Sequence, residues 1–135
     1  MVLKGPDTEV YGLRYSPDGE KIADIEFADK FALVVRNSQT GQPEQSFDLP
    51  DGFLPPANSA GWILRWKSDG RALTYAVPKG AAVNLWSQPL SSGPARQITD
   101  FPDELVAYDW SPDGKQLAFT RSTQSRDIVL ISNFH

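Results

Sequence analysis

Three carboxylates recur with the same neighbours. Asp18, Asp69 and Asp113 stand in Tyr15-Ser16-Pro17-Asp18-Gly19, Trp66-Lys67-Ser68-Asp69-Gly70 and Trp110-Ser111-Pro112-Asp113-Gly114. A carboxylate repeated three times could serve in proton transfer or in holding a cation. The neighbours give a plainer account. Proline presets φ at the first corner of a type I turn, the Asp side chain bonds local backbone, and glycine takes the left-handed conformation that closes the reversal. The three acids are therefore read as turn formers. Asp24 and Asp109 could form a buried acid/base pair, but nothing aligns a nucleophile with them.

The remaining chemistry is sparse. The single His is His135, the last residue, so a Ser-His-Asp arrangement would need a mobile tail. There is no Gly-x-Ser-x-Gly elbow, Walker loop or dinucleotide fingerprint. With no Cys and one His, ligation by those residues is excluded, no carboxylate run resembles a calcium loop, and no metal or cofactor is expected. Trp62, Trp66, Trp86 and Trp110 could form a stacking platform, yet three of them fall at repeat-equivalent strand positions and read as core. Trp86 is the least explained. The net charge of −4 without a basic run argues against a nucleic-acid surface. No apolar stretch approaches the ~18 residues of a membrane span, and the N-terminus lacks a signal-peptide pattern. The chain as given is expected to be soluble, with its compartment undetermined, and a longer exported or tethered parent stays open.

Positioning these residues requires strands. A chain of 135 residues with 40% hydrophobic and 22% charged residues has the composition of one folded domain, and 10 Gly with 11 Pro favour many short strands. Tyr11, Leu13 and Tyr15 alternate with Val10, Gly12 and Arg14, as a period-2 strand should. Lys21–Phe27, Phe31–Val35 and the more polar Glu44–Leu49 follow. The order then repeats: Trp62–Trp66, Ala72–Val77, Ala82–Ser87 and Ala95–Thr99. A third copy has Val106–Trp110, Gln116–Thr120 and Asp127–Ile131 and stops short of a fourth strand. The turn aromatics are 51 residues apart (15 to 66) and then 44 (66 to 110), with the excess in Pro50–Gly61. Four strands in roughly 40–50 residues is the spacing of β-propeller blades. The predicted fold is all-β, with three blades of four antiparallel strands at about 9–49, 61–100 and 104–135 in a single domain.

The run aromatic-Ser-Pro-Asp-Gly-x-x-Leu-Ala-Phe, Trp110 to Phe119, resembles the TolB-like repeat, a WD-type propeller repeat shared with the propeller domains of prolyl-oligopeptidase-like peptidases. Asp127–Ser132 resembles the third strand of such blades. The likeness covers about three repeats and is weakest in the first, where Asp24 takes the place of Tyr75 and Phe119. An acid there must be hydrogen-bonded or reached by solvent, in an edge-like blade or one whose register slips. The resemblance implies a six-bladed ring, and periplasmic placement if it holds for the parent.

Three blades cannot close a ring in the ordinary way, and an open stack would leave two apolar faces wet. Two copies would make six, with Met1–Lys4 of one chain completing the third blade of its partner. The chain is thus expected to self-associate through open blade faces as a homodimer, or else to be half of a larger propeller. The expected role is a non-catalytic module that binds a protein or peptide on one rim. Alternatives are a gating fragment of a serine peptidase and a small-ligand sensor of a signalling protein. The rim opposite the Asp-Gly turns carries the candidate binding residues Asp29, Phe53, Leu54, Asn58, Lys79, Arg121 and Arg126. Phe53-Leu54-Pro55-Pro56, in the longest link, either meets a partner or covers the wide junction between the first two blades.

Overall fold

The computed structural model describes residues 8–50, 53, 64–122 and 128–132. Every regular element in them is a strand. The first unit is the antiparallel meander β1 (Glu9–Tyr15), β2 (Lys21–Phe27), β3 (Phe31–Asn37) and β4 (Pro43–Asp48). The second is β5 (Leu64–Trp66), β6 (Ala72–Lys79), β7 (Ala82–Pro89) and β8 (Arg96–Gln97), and the third is β9 (Glu104–Trp110), β10 (Gln116–Ser122) and β11 (Ile128–Ser132).

The three aromatic-x-x-Asp-Gly reversals share one construction. The Gly19, Gly70 and Gly114 amides donate to the carbonyls of Ser16, Lys67 and Ser111 at 2.9, 2.9 and 2.8 Å. Each glycine has φ between +71° and +76°, the left-handed region in which a Cβ is strained. Asp18 Oδ1 accepts from the Ser16 hydroxyl at 2.7 Å and the Glu20 amide at 2.9 Å. Asp113 repeats this with Ser111 and Lys115 at 2.6 and 3.0 Å. Asp69 accepts only the amide counterpart, from Arg71 at 2.9 Å, because Lys67 stands where the other turns have serine.

Strand alternation then sorts the side chains. Tyr75, Leu73 and Trp66 of the second unit point to the first, while Thr74 and Ala76 point to the third, and all but the 9% exposed Trp66 are fully buried. A sheet apolar and buried on both faces is one packed between neighbours. Ala23, Ile25, Leu33 and Val35 supply the first unit's side of that core, and Leu105, Tyr108, Trp110, Leu117 and Phe119 the third unit's. Between the first and second units the Gln45 amide donates to Leu90 C=O at 2.7 Å.

Two features depart from the sequence expectations, and a third meets one of them at a different place. β8 spans two residues rather than Ala95–Thr99, because the Ile98 amide turns back to Leu85 C=O at 2.8 Å while Thr99 Oγ1 accepts from the Leu85 amide at 2.8 Å. The second and third units are not separate sheets. A single parallel pair, Val83 with Glu104, joins them, with the Val83 amide donating to Asp103 C=O at 3.1 Å. In the first unit the register slips in β1, between Tyr11 and Arg14, whereas the pairing of β2 with β3 around Asp24 is unbroken. The proposed closing strand Met1–Lys4 and Trp62 lie outside the described residues.

Candidate functional site

The rim opposite the Asp-Gly turns is made by the β2–β3 and β6–β7 connections and the links that enter each unit. Asp29 and Lys79 stand exposed there, on the first and second units respectively. Lys79 sits at the mouth of a cavity of about 600 Å³, walled by Pro50, Trp86 and Phe101, with Asp100 also at its lip. Asn84 shapes the far wall. Its Oδ1 accepts from the Phe101 amide at 2.6 Å and from Thr99 Oγ1 at 2.9 Å, and its Nδ2 donates to Phe101 C=O at 3.0 Å. These bonds fix the link from β8 to β9 and with it the phenyl ring of Phe101. Trp86 is half-buried beside them, so the tryptophan that the repeat left unexplained has a wall to form.

Arg121 reaches the same neighbourhood but is engaged. Its Nε and Nη2 donate to the two Asp103 oxygens at 2.7 and 3.0 Å, and its guanidinium carbon lies 4.4 Å from the Phe101 ring centre. The pair holds the entry to β9, where Phe101 stacks 4.9 Å from Phe119. Phe53 corrects its expected place on the rim: the ring is 4% exposed and lies inside. It bridges Phe31 at 5.4 Å and Tyr75 at 6.3 Å, filling the junction between the first and second units. Leu54, Asn58 and Arg126 lie outside the described residues. The structure therefore places Lys79 in the cavity that Phe101 also lines and Arg121 over the Phe101 ring, while Asp29 stands on the first unit.

The acids considered for catalysis have other occupations. Asp18 and Asp113 are held below the usual carboxylate range, Asp18 mainly by the Glu20 amide and Asp113 mainly by the Ser111 hydroxyl. Asp24 and Asp109 serve different partners. Asp24 is fully buried on β2, with Oδ2 3.8 Å from Arg36 Nε. Arg36 spends Nη2 on Glu26 at 2.6 Å and Nη1 on Gly41 C=O at 3.0 Å. One cation between two carboxylates neutralises one of them. Burial first, then a hydrogen bond to the Glu26 carboxylate and the charge of that group, push Asp24 up to about 8, Arg36 opposing. Asp109 lies 3.8 Å from Arg65 Nε and accepts from its neighbour Trp110's amide at 2.9 Å.

A constellation that no sequence motif marks stands on the first strands of the units. Arg14, Arg65 and Asp109 each directly precede the turn aromatic. They pair across to Ala23, Thr74 and Ala118, one repeat position in all three units. The signal was in the sequence as the residue before each aromatic, but single charges on an alternating strand read as solvent-facing. Beneath them lies a buried polar knot. Tyr108 donates to Thr74 C=O at 2.9 Å, and the Trp110 indole donates to Thr74 Oγ1 at 3.1 Å.

No family model matches the chain. A stretch of 59 residues, 43% of the chain and 9% of the relative, is 37% identical to the uncharacterized peptidase YuxL of Bacillus subtilis. A stretch of 57 residues, 42% of the chain and 13% of the relative, is 28% identical to the Tol-Pal system protein TolB of Francisella tularensis. The fold superposes on a TolB-type protein of Agrobacterium tumefaciens with a TM-score of 0.65 and 17% identity, covering 96% of this chain and 47% of that one. It superposes on a dipeptidyl aminopeptidase IV-type protein of Bacteroides ovatus at 0.71 and 14% identity, covering 93% of this chain and 21% of that one. For a prolyl endopeptidase the figures are 0.67 and 15%, covering 96% and 21%. The chain thus spans less than half the length of each of these proteins. Meander units, Asp-Gly turns and superpositions agree that the chain has the fold of a segment of TolB-like β-propeller, the kind that TolB shares with prolyl and dipeptidyl peptidases.

Proposed function

We propose that the chain is a non-catalytic binding module, three blades of a TolB-like propeller that take a protein or peptide on the rim around Lys79. The observation that carries this reading is the cavity at the β6–β7 connection. Its volume of about 600 Å³ lies in the range of ligand pockets, and it offers an aromatic wall at Trp86 beside the charges of Lys79 and Asp100. The sequence carries no Gly-x-Ser-x-Gly nucleophile elbow, in keeping with a non-catalytic role. Binding to a peptide library displayed on beads tests it. Trp86→Ala and Lys79→Glu should each weaken retention of the selected peptides at least about tenfold, the loss of one anchoring contact. Retention unchanged in both variants overturns the site, and turnover of an aminoacyl-proline chromogenic substrate by the purified chain overturns the non-catalytic role.

The peptidase superpositions and the YuxL stretch favour a second reading, a gating segment of a serine peptidase whose nucleophile lies in another domain. On either reading three blades need three more. In the dimeric form that we favour, solution mass is about twice the 14.9 kDa of one chain. A cooperatively folded monomer at all concentrations would rule the dimeric ring out and leave half of a larger propeller.

A further inference from the structure

The first strands β1 and β5 bring two cations together. The Trp66 indole N–H donates to the Arg14 carbonyl at 3.1 Å, which ties β5 to β1. The groups feel each other. Arg14 is held below the usual guanidinium range by burial first and by the Arg65 charge second. Like charges placed at one repeat position are costly unless something answers them.

Among the described residues, what answers them is incomplete. The Nε atoms of Arg14 and Arg65 are both closed to solvent and neither has an acceptor. Arg14 Nη1 reaches only the adjacent Leu13 carbonyl, at 3.2 Å. Asp109 Oδ1 stands 3.8 Å from Arg65 Nε, too far for a hydrogen bond, and the Asp109 side chain is 76% exposed. Two guanidiniums and one carboxylate leave one unit of positive charge and two idle donors. That is the complement of a monoanion with two oxygens. A carboxylate fits the planar guanidinium fork and cancels the residual charge, whereas a phosphate dianion leaves the site negative beside Asp109.

We propose that Arg14 and Arg65 together hold a carboxylate group where the first strands of the first and second units meet. The inference rests on the binding-module reading and deepens it: the partner's contact chemistry at this place is an acidic side chain or a free chain terminus. Asp109 tempers the site by competing for Arg65.

The test uses the whole chain and acetate as the probe, read through the Nε–Hε resonances of Arg14 and Arg65 in ¹⁵N NMR at constant ionic strength, with chloride as the reference anion. Both resonances should move and saturate with acetate, and acetate should bind more tightly than inorganic phosphate. Arg65→Gln should weaken acetate at least about tenfold, the loss of a charge-assisted pair, and Asp109→Asn should strengthen it severalfold. Lysine variants at 14 and 65 keep the charge but lose the fork and should bind more weakly than the native chain. A short Gly-Ala peptide with a free terminus, its amide, and the amide carrying one Glu then separate the two sources of carboxylate. Absence of a saturable shift in the native chain, or tighter binding of phosphate, overturns the proposal without requiring any variant to fold. Because acetate does not depend on Lys79 or Trp86, loss of this result and loss of peptide retention at the cavity are separate failures.

Discussion

The seams between units and the outward face of the first unit use the same repeat positions to opposite ends. Trp66 and Trp110 are each 9% exposed, whereas Tyr15, at the same position, is 60% exposed. Each indole reaches into the unit before it, Trp66 to Arg14 C=O and Trp110 to Thr74 Oγ1, both at 3.1 Å. No described unit precedes β1, and Tyr15 has nothing to reach. One layer outward, Tyr75 and Phe119 fill the seams with rings, and the first unit places Asp24 there instead. The repeat supplies a reversal and an aromatic. Whether that aromatic is core or surface is decided by the neighbour it meets. The outward face of the first unit departs from the seam composition at its centre, with Asp24 where the seams have rings and with Glu26 and Arg36 beside it.

The largest expected effect separates the two places directly. Trp110→Ala removes a buried indole and leaves Thr74 with one partner fewer, and should cost about 3–5 kcal/mol in urea unfolding. Tyr15→Ala should cost less than about 1 kcal/mol in dilute solution, as surface changes do. Repeating the Tyr15→Ala measurement at high protein concentration sharpens the comparison, since a second copy covering this face would raise the difference. Equal losses for the two variants at low concentration would break it.

How much of this could be read beforehand follows from where the determinants lie. The three reversals were legible because proline, aspartate and glycine act on their own backbone, and the hydrogen bonds at Asp18 and Asp113 are between residues two apart. The strand order followed from alternation between them. β8 was overestimated because its end is set by Asn84 and Thr99, fourteen and fifteen residues from their partners. Phe53 has two places open to it in the sequence, the rim or the wide junction, because only the ring it meets, Tyr75, decides between them. Asp24 was recognisable as the odd member of its set, but its neighbour Arg36 lies on the next strand and only the pairing of β2 with β3 reveals it.

That buried acid gives the second test. Folded Asp24 keeps its proton up to about 8, whereas an unfolded aspartate releases it near 4. A folded-state pKa raised in this way contributes stability that is complete below about 4 and is lost as pH rises to about 8. The native chain should therefore lose about 3–4 kcal/mol between about pH 5 and pH 8. Asp24→Asn, which cannot ionise, should show little slope there and overtake the native chain at the alkaline end. His135, the one His of the sequence, is present in both proteins, so the comparison with Asp24→Asn cancels it. Parallel slopes in the two proteins would mean that the first unit's charged centre is not buried as a neutral acid.

The smallest effect asks whether the seam reaches the turns themselves. Gly19 and Gly114 close reversals with matching hydrogen bonds and φ of +76° and +73°, so an alanine at either should lose about 1 kcal/mol to left-handed strain. Their surroundings differ. A Cβ on Gly19 meets nothing within 4 Å, whereas one on Gly114 runs into the Ser68 hydroxyl of the second unit's turn. Because Ser68 can rotate away, the excess for Gly114→Ala should be only a few tenths of a kcal/mol, and it should vanish in the Ser68→Ala background, where a double-mutant cycle isolates it. Urea unfolding of the four proteins measures this. A larger loss at Gly19 than at Gly114 would mean that the third turn does not press on the second, and that the contrast between seam and outward face stops at the sheets.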